Sequence, residues 1–207
     1  MIDLEKQLKD KVTNTIIIEK SKFITNIFPV KNIDEVNQLL KEINKKYYDS
    51  THNCYAYILD SGNIQKCSDE GEPQKTAGYP MLDVLLKNEL TNVLAVTTRY
   101  FGGIKLGAGG LVRAYSKSVS EALKEAKFVQ KRLLKIYQIE MNYPTYNRLS
   151  SFLDNYQIIS QSFSTEISLR VGVLEETENY FLDNIKNLSL SKIIIQYLKD
   201  DEILMEI

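Results

Sequence analysis

The residues best suited to chemistry lie in a glycine-rich segment, RYFGGIKLGAGGLVRAYSKSV, which spans residues 99–119. Five of the chain's nine glycines fall between positions 102 and 110, and basic side chains precede, interrupt and follow them. Dense glycine indicates a backbone that turns through positive φ or that another group approaches closely. Because the segment joins a predicted strand to a predicted helix, the free N–H groups of the helix start could bind a phosphate.

Two interpretations of this segment stay open from the residues alone. One is an anion or nucleic-acid site to which the segment adds four cations: Arg99, Lys105, Arg113 and Lys117. Arg113 and Lys117 lie four positions apart, on one helical face. The other is a tight strand-to-helix turn with solvated lysines. Named phosphate motifs are absent, since no Gly-Lys-Ser or Gly-Lys-Thr occurs and Val112 stands where a dinucleotide fingerprint needs its third glycine.

A second unusual segment, SDEGEPQKTAGYP at residues 68–80, brings three carboxylates together within four positions. Asp69, Glu70 and Glu72 could hold a hard divalent cation or supply an acid–base pair. Acidic residues beside glycine and proline are also typical of a polar turn whose carboxylate caps the next helix. We favour the turn, because no second carboxylate cluster completes a metal shell.

The single histidine, His52, lies in THNCYAYILD, close to one of two cysteines. A hairpin turn at residues 61–62 would pair Ala56 with Cys67. Strand alternation then places His52, Cys54 and Cys67 on one face. Such a set could bind zinc, and a Cys/His pair could act as a nucleophile, but buried thiols are the commoner arrangement in a core. We assign no catalytic residue, no metal ligand and no cofactor.

The elements that must position these residues form a mixed first half. Strands are predicted for NTIIIEK, KFITNIFPV, the two arms THNCYAYILD and NIQKCSD of the hairpin, and TNVLAVTTRY. Helices are predicted for NIDEVNQLLKEINKKY, for AGYPMLDVLLKNEL after its proline, and for AGGLVRAYSKSVSEALKEAKF. This half is therefore predicted to be an α+β domain covering residues 1–130.

The second half follows the order β-α-β-β-α-β, which is typical of a ferredoxin-like domain. Strands are predicted at 133–142, 157–163, 165–173 and 192–198, and helices at 144–156 and 175–188. We place this second domain at residues 131–207. It contains no metal, nucleophile or phosphate signature and no aromatic pattern typical of RNA-binding sheets.

Composition indicates a soluble globular protein and gives little overall attraction to nucleic acid. The net charge is −1, and residues 1–130 carry 18 basic against 16 acidic side chains. A nucleic-acid role must therefore rest on a local patch. No apolar run is long enough to span a membrane, the start MIDLEKQLKDKV has no apolar signal core, and two cysteines fit a reducing compartment. We expect a cytoplasmic protein with no membrane partner.

Four segments together resemble the YigZ/IMPACT family: SKF, HNCYAY, SDEGEP with TAGYPML, and RYFGGIKLGAGGLVRAYSKSV. The resemblance implies a first domain similar to the second domain of a small-subunit ribosomal protein. It implies a second domain similar to the last domain of elongation factor G. Eukaryotic IMPACT regulates translation by competing for the activator protein of an initiation-factor kinase. One departure is Gln74-Lys75, where members usually carry a small residue and glycine.

From this resemblance and the residues we expect a non-enzymatic, translation-associated regulatory protein that binds RNA or the ribosome. The expected binding corner comprises Arg99, Gly102, Gly103, Lys105, Gly107, Gly109, Gly110, Arg113 and Lys117. The resemblance adds a motif surface of His52, Asp69, Glu70 and Glu72. One alternative is a protein–protein regulator that uses the same cleft, with the carboxylates contacting a basic partner. Another is an enzyme acting on a phosphate-containing small molecule; the oligomeric state stays open.

Overall fold

The structure, a computed structural model, describes residues 6–190 and 192–207. It divides into two compact units, one formed by the described residues up to 130 with 206–207, and one by residues 131–205. Each unit combines helices with β-strands, which confirms the α+β fold class. The first five residues, on which the expectation of no signal peptide partly rests, lie outside the described residues. In the described part of the chain, no helix has the length and apolar character to cross a membrane.

The first unit alternates strands and helices. In chain order its elements are β1 (Lys6–Leu8), β2 (Val12–Ile18), β3 (Ser21–Pro29), α1 (Ile33–Lys46), β4 (His52–Leu59), β5 (Ile64–Ser68), α2 (Gly78–Lys87), β6 (Val93–Tyr100), α3 (Gly107–Lys124) and the start of β7 (Phe128–Met141). An antiparallel sheet has the order β2-β3-β6-β4-β5. Strand β1 pairs instead with the first residues of β7.

The central strand β6 is buried on both faces because helices cover the sheet on two sides. Val93 and Ala95 belong to a core that includes α2 and α3, whereas Leu94 and Val96 belong to a core that includes α1. A strand covered on both faces needs a continuous apolar run rather than alternation. This environment explains why TNVLAVTTRY is predicted correctly as a buried strand.

The hairpin formed by β4 and β5 has the predicted register. Ala56 pairs with Cys67 across a short turn at residues 60–62. Since side chains alternate along a strand, His52, Cys54 and Cys67 share one face of the sheet, as expected. This face is the one that packs against α2 and α3, because both Cys54 and Ala56 belong to their core.

Helix α2 begins at Gly78 rather than after Pro80. A proline in the first turn of a helix is tolerated, because its missing N–H group has no partner inside the helix there. The buried side chains Met81, Leu82 and Leu85 then face the core shared with α3.

The second unit has the predicted element order. After β7 come α4 (Tyr143–Leu153), β8 (Gln157–Phe163), β9 (Ile167–Leu174), α5 (Glu178–Ser189) and β10 (Ile193–Glu206). Strand β7 lies between β10 and β9, and β8 forms the outer neighbour of β9. Phe181 and Ile185 of α5 pack with Leu149 of α4 in the core of this unit. Strand β10 continues well beyond residue 198, the predicted end of this strand.

Candidate functional site

The glycine-rich segment forms the loop between β6 and α3 and the first turn of α3. Gly103 and Gly107 have φ values of +85° and +68°, in the left-handed region that glycine adopts without strain. Gly102 is needed for space, because a Cβ there would lie 2.0 Å from the carbonyl carbon of Lys20. The backbone therefore requires glycine at position 102 for space and favours it at positions 103 and 107 for conformation.

The remaining two glycines of the segment, Gly109 and Gly110, lie in the first turn of α3. A Cβ on Gly109 would lie 3.6 Å from Nη1 of Arg113, so the Arg113 guanidinium lies close to the first helical turn. A Cβ on Gly110 would lie 3.0 Å from the Cβ of Leu106. The first turn holds no acidic residue, and no side chain caps it. Because nothing from the side chains satisfies its N–H groups, this helix end can accept an anion.

Beside this helix end lies a cavity of about 470 Å³, which we call the basic groove. Its lining residues are Ile18, Glu19, Ile104, Lys105, Leu106, Gly110, Arg113, Ala114 and Lys117. Three predicted cations thus line one groove against a single lining carboxylate, that of Glu19. Among the described residues, none of the three cations forms a hydrogen bond or an ion pair at contact distance.

The electrostatics of the basic groove favour a bound anion. A helix start carries a partial positive charge, and cations close to it are unfavourable by roughly 0.3–1 kcal/mol each. Lys105 directly precedes α3, and Arg113 lies against its first turn. The fold therefore gathers three cations beside the carboxylate of Glu19, with Glu121 also close enough to interact with Lys117, and a phosphate in the groove would add negative charge to this set.

Arg99, the fourth predicted cation, is not part of the groove lining. Its side chain is only 7% exposed and its Nη1 donates to Oε1 of Glu72 at 2.7 Å. The pairing across three strands places Phe23, Arg99 and His52 in one row. The guanidinium also lies over the Phe23 ring. Arg99 is thus a buried, paired cation of the core rather than an exposed member of the corner.

The three carboxylates of the acidic segment have three different environments. Asp69 accepts hydrogen bonds from the backbone N–H groups of residues 75, 77 and 78 at 2.7–3.0 Å, and so caps α2. Glu70 is exposed and accepts a hydrogen bond from the hydroxyl of Ser68. Glu72 is buried. The interpretation of this segment as a polar turn with a capping carboxylate therefore matches the hydrogen bonds.

Glu72 joins the acidic segment to the glycine-rich segment. Its Oε1 accepts hydrogen bonds from Arg99 and from the hydroxyl of Tyr115, which lies on α3. Nδ1 of His52 lies 2.8 Å from the carbonyl oxygen of Glu70, which can only accept, so Nδ1 donates this hydrogen bond. Nε2 of His52 then faces Oε2 of Glu72 at 3.9 Å. The two motifs meet around one buried carboxylate.

Sequence reasoning missed two residues of this junction, Tyr115 and Ser21. Tyr115 is completely buried on α3, and burial raises the pKa of its hydroxyl, as do the neighbouring Cys54 and Glu72. Ser21 accepts hydrogen bonds from Nη2 of Arg99 at 3.4 Å and from the N–H of Gly102 at 3.2 Å. Ser21 therefore links the glycine-rich loop to the β2–β3 turn through these hydrogen bonds.

The environment of Cys54 does not suit a nucleophile. Its thiol lies 2.9 Å from the carbonyl oxygen of Asp69 and 3.3 Å from the hydroxyl of Tyr115. Burial raises the pKa of Cys54 to about 12, so the thiol stays protonated at neutral pH. A catalytic cysteine needs the opposite shift, because the thiolate is the reactive form. Among the described residues, no group of His, Cys, Asp or Glu is arranged to hold a metal ion.

Replacing Lys75 with glycine is expected to raise the free energy of unfolding by about 0.5–1 kcal/mol. Lys75 has a φ of +61°, which strains an L-residue, and its N–H donates to Asp69, a bond that glycine keeps. The resemblance also places glycine here. Urea denaturation measures the change, with Lys66→Gly in strand β5 as a control that should destabilise. An equal loss in both variants would contradict the strain at position 75.

Comparisons with known proteins agree with the resemblance. The family model described as "Impact N-terminal domain" matches residues 19–123, about half of the chain. The IMPACT family member YvyE of Bacillus subtilis is 39% identical over 89% of this chain and 87% of its own length. The IMPACT family member YigZ of Escherichia coli is 32% identical over 75% and 79%. A crystal structure of a hypothetical protein matches with a TM-score of 0.60 and 27% identity, over 96% of this chain and 99% of that one.

Proposed function

The chain belongs to the IMPACT family, and on this premise we propose that it is a non-enzymatic, translation-associated regulatory protein that binds RNA or the ribosome through the basic groove. The translational part of the proposal follows from the family resemblance, which implies translation-machinery folds for both domains. The binding part follows from one observation. Lys105, Arg113 and Lys117 line one groove beside an uncapped helix start and have no ion-pair partner among the described residues.

Phosphate groups match the chemistry of this groove better than a peptide of specific sequence does. Helix N–H groups and clustered cations recognise an anion without reading side-chain shape, which is how proteins contact a nucleic-acid backbone. Binding of this kind releases counterions and falls steeply as salt rises. Because the whole chain has a net charge of −1, attraction to RNA must come from the groove itself.

The structure gives less support to docking of a basic partner on the acidic segment. Asp69 is engaged in capping α2, and Glu72 is buried in an ion pair with Arg99. Only Glu70 of the three carboxylates is exposed. A surface with one exposed carboxylate offers little charge complementarity to a partner protein. This contrast is why we place the function on the basic groove.

The proposal predicts that Lys105→Ala/Arg113→Ala/Lys117→Ala weakens binding to single-stranded RNA by roughly 10–100-fold at about 0.1 M salt. Three lost phosphate contacts should also flatten the slope of log affinity against log salt by about 2. Fluorescence anisotropy with a labelled oligonucleotide across a salt series measures both quantities. Arg99 is left intact because its removal would disturb the core rather than the groove.

A matched control removes the same charge elsewhere. Lys31, Lys41 and Lys45 are exposed and lie on or beside α1, which covers the opposite face of the sheet. Their triple alanine variant should retain most of the affinity. Equal losses in both triple variants would mean that net charge, and not the groove, governs binding. Unchanged binding after loss of the groove cations would overturn the proposal.

A further inference from the structure

The lining of the basic groove indicates which kind of ligand it binds, and this inference rests on the proposed function. We infer that the groove takes one unpaired nucleotide of an RNA strand, with the phosphate at Lys105, Arg113 and Lys117 and the base against the apolar part of the lining. The inference starts from the mixed chemistry of the groove. Cations and apolar side chains line the same cavity.

Ile104 is the part of the apolar lining that neither core packing nor phosphate binding explains. Of the other apolar lining residues, Ala114 is buried in the core of the first unit, and Ile18 and Leu106 pack against that core. Ile104 lies in the loop before α3 and stays 38% exposed. A phosphate gains nothing from aliphatic carbon, whereas the face of a nucleobase is apolar and gains by leaving water. The lining therefore matches a ligand that has one charged part and one flat apolar part.

The size of the groove favours a single nucleotide over a duplex. Its volume of about 470 Å³ lies within the roughly 300–1,000 Å³ of cavities that enclose small ligands. Duplex RNA presents phosphates and riboses on a convex surface and keeps its bases stacked inside. A concave apolar lining could contact only a base that has left the stack. Single-stranded RNA offers such bases, and proteins contact their flat faces with aromatic side chains or with Arg guanidinium planes; of these, the groove lining holds Arg113.

Arg113 is placed to contribute to both parts of the ligand. Its guanidinium lies close to Gly109 in the first turn of α3, and it has no hydrogen bond or ion pair among the described residues. A guanidinium is planar, so it can hydrogen-bond a phosphate at its edge and stack on a base with its face. Both uses need a free arginine at the groove.

The test separates base contact from phosphate contact. Ile104→Ala trims the apolar lining and leaves every cation in place, so it should weaken single-stranded RNA binding by roughly fivefold at an unchanged salt slope. Ile17→Ala is the matched control, because Ile17 is 71% exposed and is not among the groove-lining residues. The probes are a labelled 12-nucleotide RNA and the same sequence annealed to its complement. We expect the single strand to bind at least about tenfold more tightly.

The outcomes distinguish this inference from the proposed function. Equal affinity for the single strand and the duplex would overturn the nucleotide assignment, and so would equal effects of Ile104→Ala and Ile17→Ala. In either case, salt-dependent binding would still support the proposed function. No salt-dependent binding to either probe would overturn both. Preference for the single strand, lost on trimming Ile104 at an unchanged slope, supports the assignment.

Discussion

Replacing Glu72 with alanine is expected to lower the free energy of unfolding by about 3–5 kcal/mol, because it leaves a buried guanidinium without its partner. The Glu72 side chain is 3% exposed and accepts hydrogen bonds from Arg99 at 2.7 Å and Tyr115 at 2.8 Å. The substitution leaves the buried Arg99 charge without a counterion and removes the hydrogen-bond acceptor of the buried Tyr115 hydroxyl. Few single substitutions in this protein should lower its free energy of unfolding by more.

Urea denaturation of wild type, Glu72→Ala and Glu70→Ala measures this cost. Glu70 is an exposed carboxylate two positions away, and its loss should change stability by less than about 0.5 kcal/mol. A double variant, Glu72→Ala with Arg99→Met, should regain part of the loss, since it removes the stranded charge. Similar stabilities for Glu72→Ala and Glu70→Ala would contradict the buried ion pair.

Replacing Gly102 with alanine is expected to destabilise the protein by at least about 3 kcal/mol. The new Cβ would lie 2.0 Å from the carbonyl carbon of Lys20 and 2.3 Å from the backbone nitrogen of Ser21. These are backbone atoms at the β2–β3 turn, so no side chain can rotate away to make room. The loop before α3 would have to separate from the turn that holds it.

Gly103→Ala is the matched control for this prediction. No atom lies within 4 Å of a Cβ built at Gly103, so its only cost is the strain of a φ of +85°. That strain amounts to about 1–2 kcal/mol. Thermal and urea unfolding should therefore show that the Gly102→Ala variant is much less stable than the Gly103→Ala variant. The reverse order would contradict the close packing of the loop on Lys20 and Ser21.

Much of the fold could be predicted from local patterns. The β4–β5 register follows from a short turn and strict side-chain alternation, so Ala56 opposite Cys67 was predictable. That a carboxylate of the acidic segment caps α2 follows from acidic residues before a glycine- and proline-containing helix start, whereas the choice of Asp69, nine positions before Gly78, does not. The start of α2 was harder to locate, because Pro80 is compatible with either side of a helix boundary.

The burial of Arg99 could not be predicted, and the reason is topological. Sequence shows a cation beside glycines, whereas its partner Glu72 lies 27 positions earlier in the chain. The two side chains meet because β4 lies between β6 and β5 in the sheet and the segment after β5 carries Glu72. Tyr115 escaped notice for a related reason. Its helical spacing is typical of a core position, and nothing local indicates that its hydroxyl bonds a carboxylate 43 positions away.

Ribosome co-sedimentation across a salt series would show whether the basic groove binds RNA in the setting of translation. Wild type should sediment with ribosomes at low salt and dissociate as salt rises, because the contacts are phosphate-directed. Lys105→Ala/Arg113→Ala/Lys117→Ala should stay in the supernatant, while the α1 control, Lys31→Ala/Lys41→Ala/Lys45→Ala, behaves as wild type. Absence of wild-type sedimentation at low salt, or sedimentation of the groove variant at wild-type levels, would contradict the proposal.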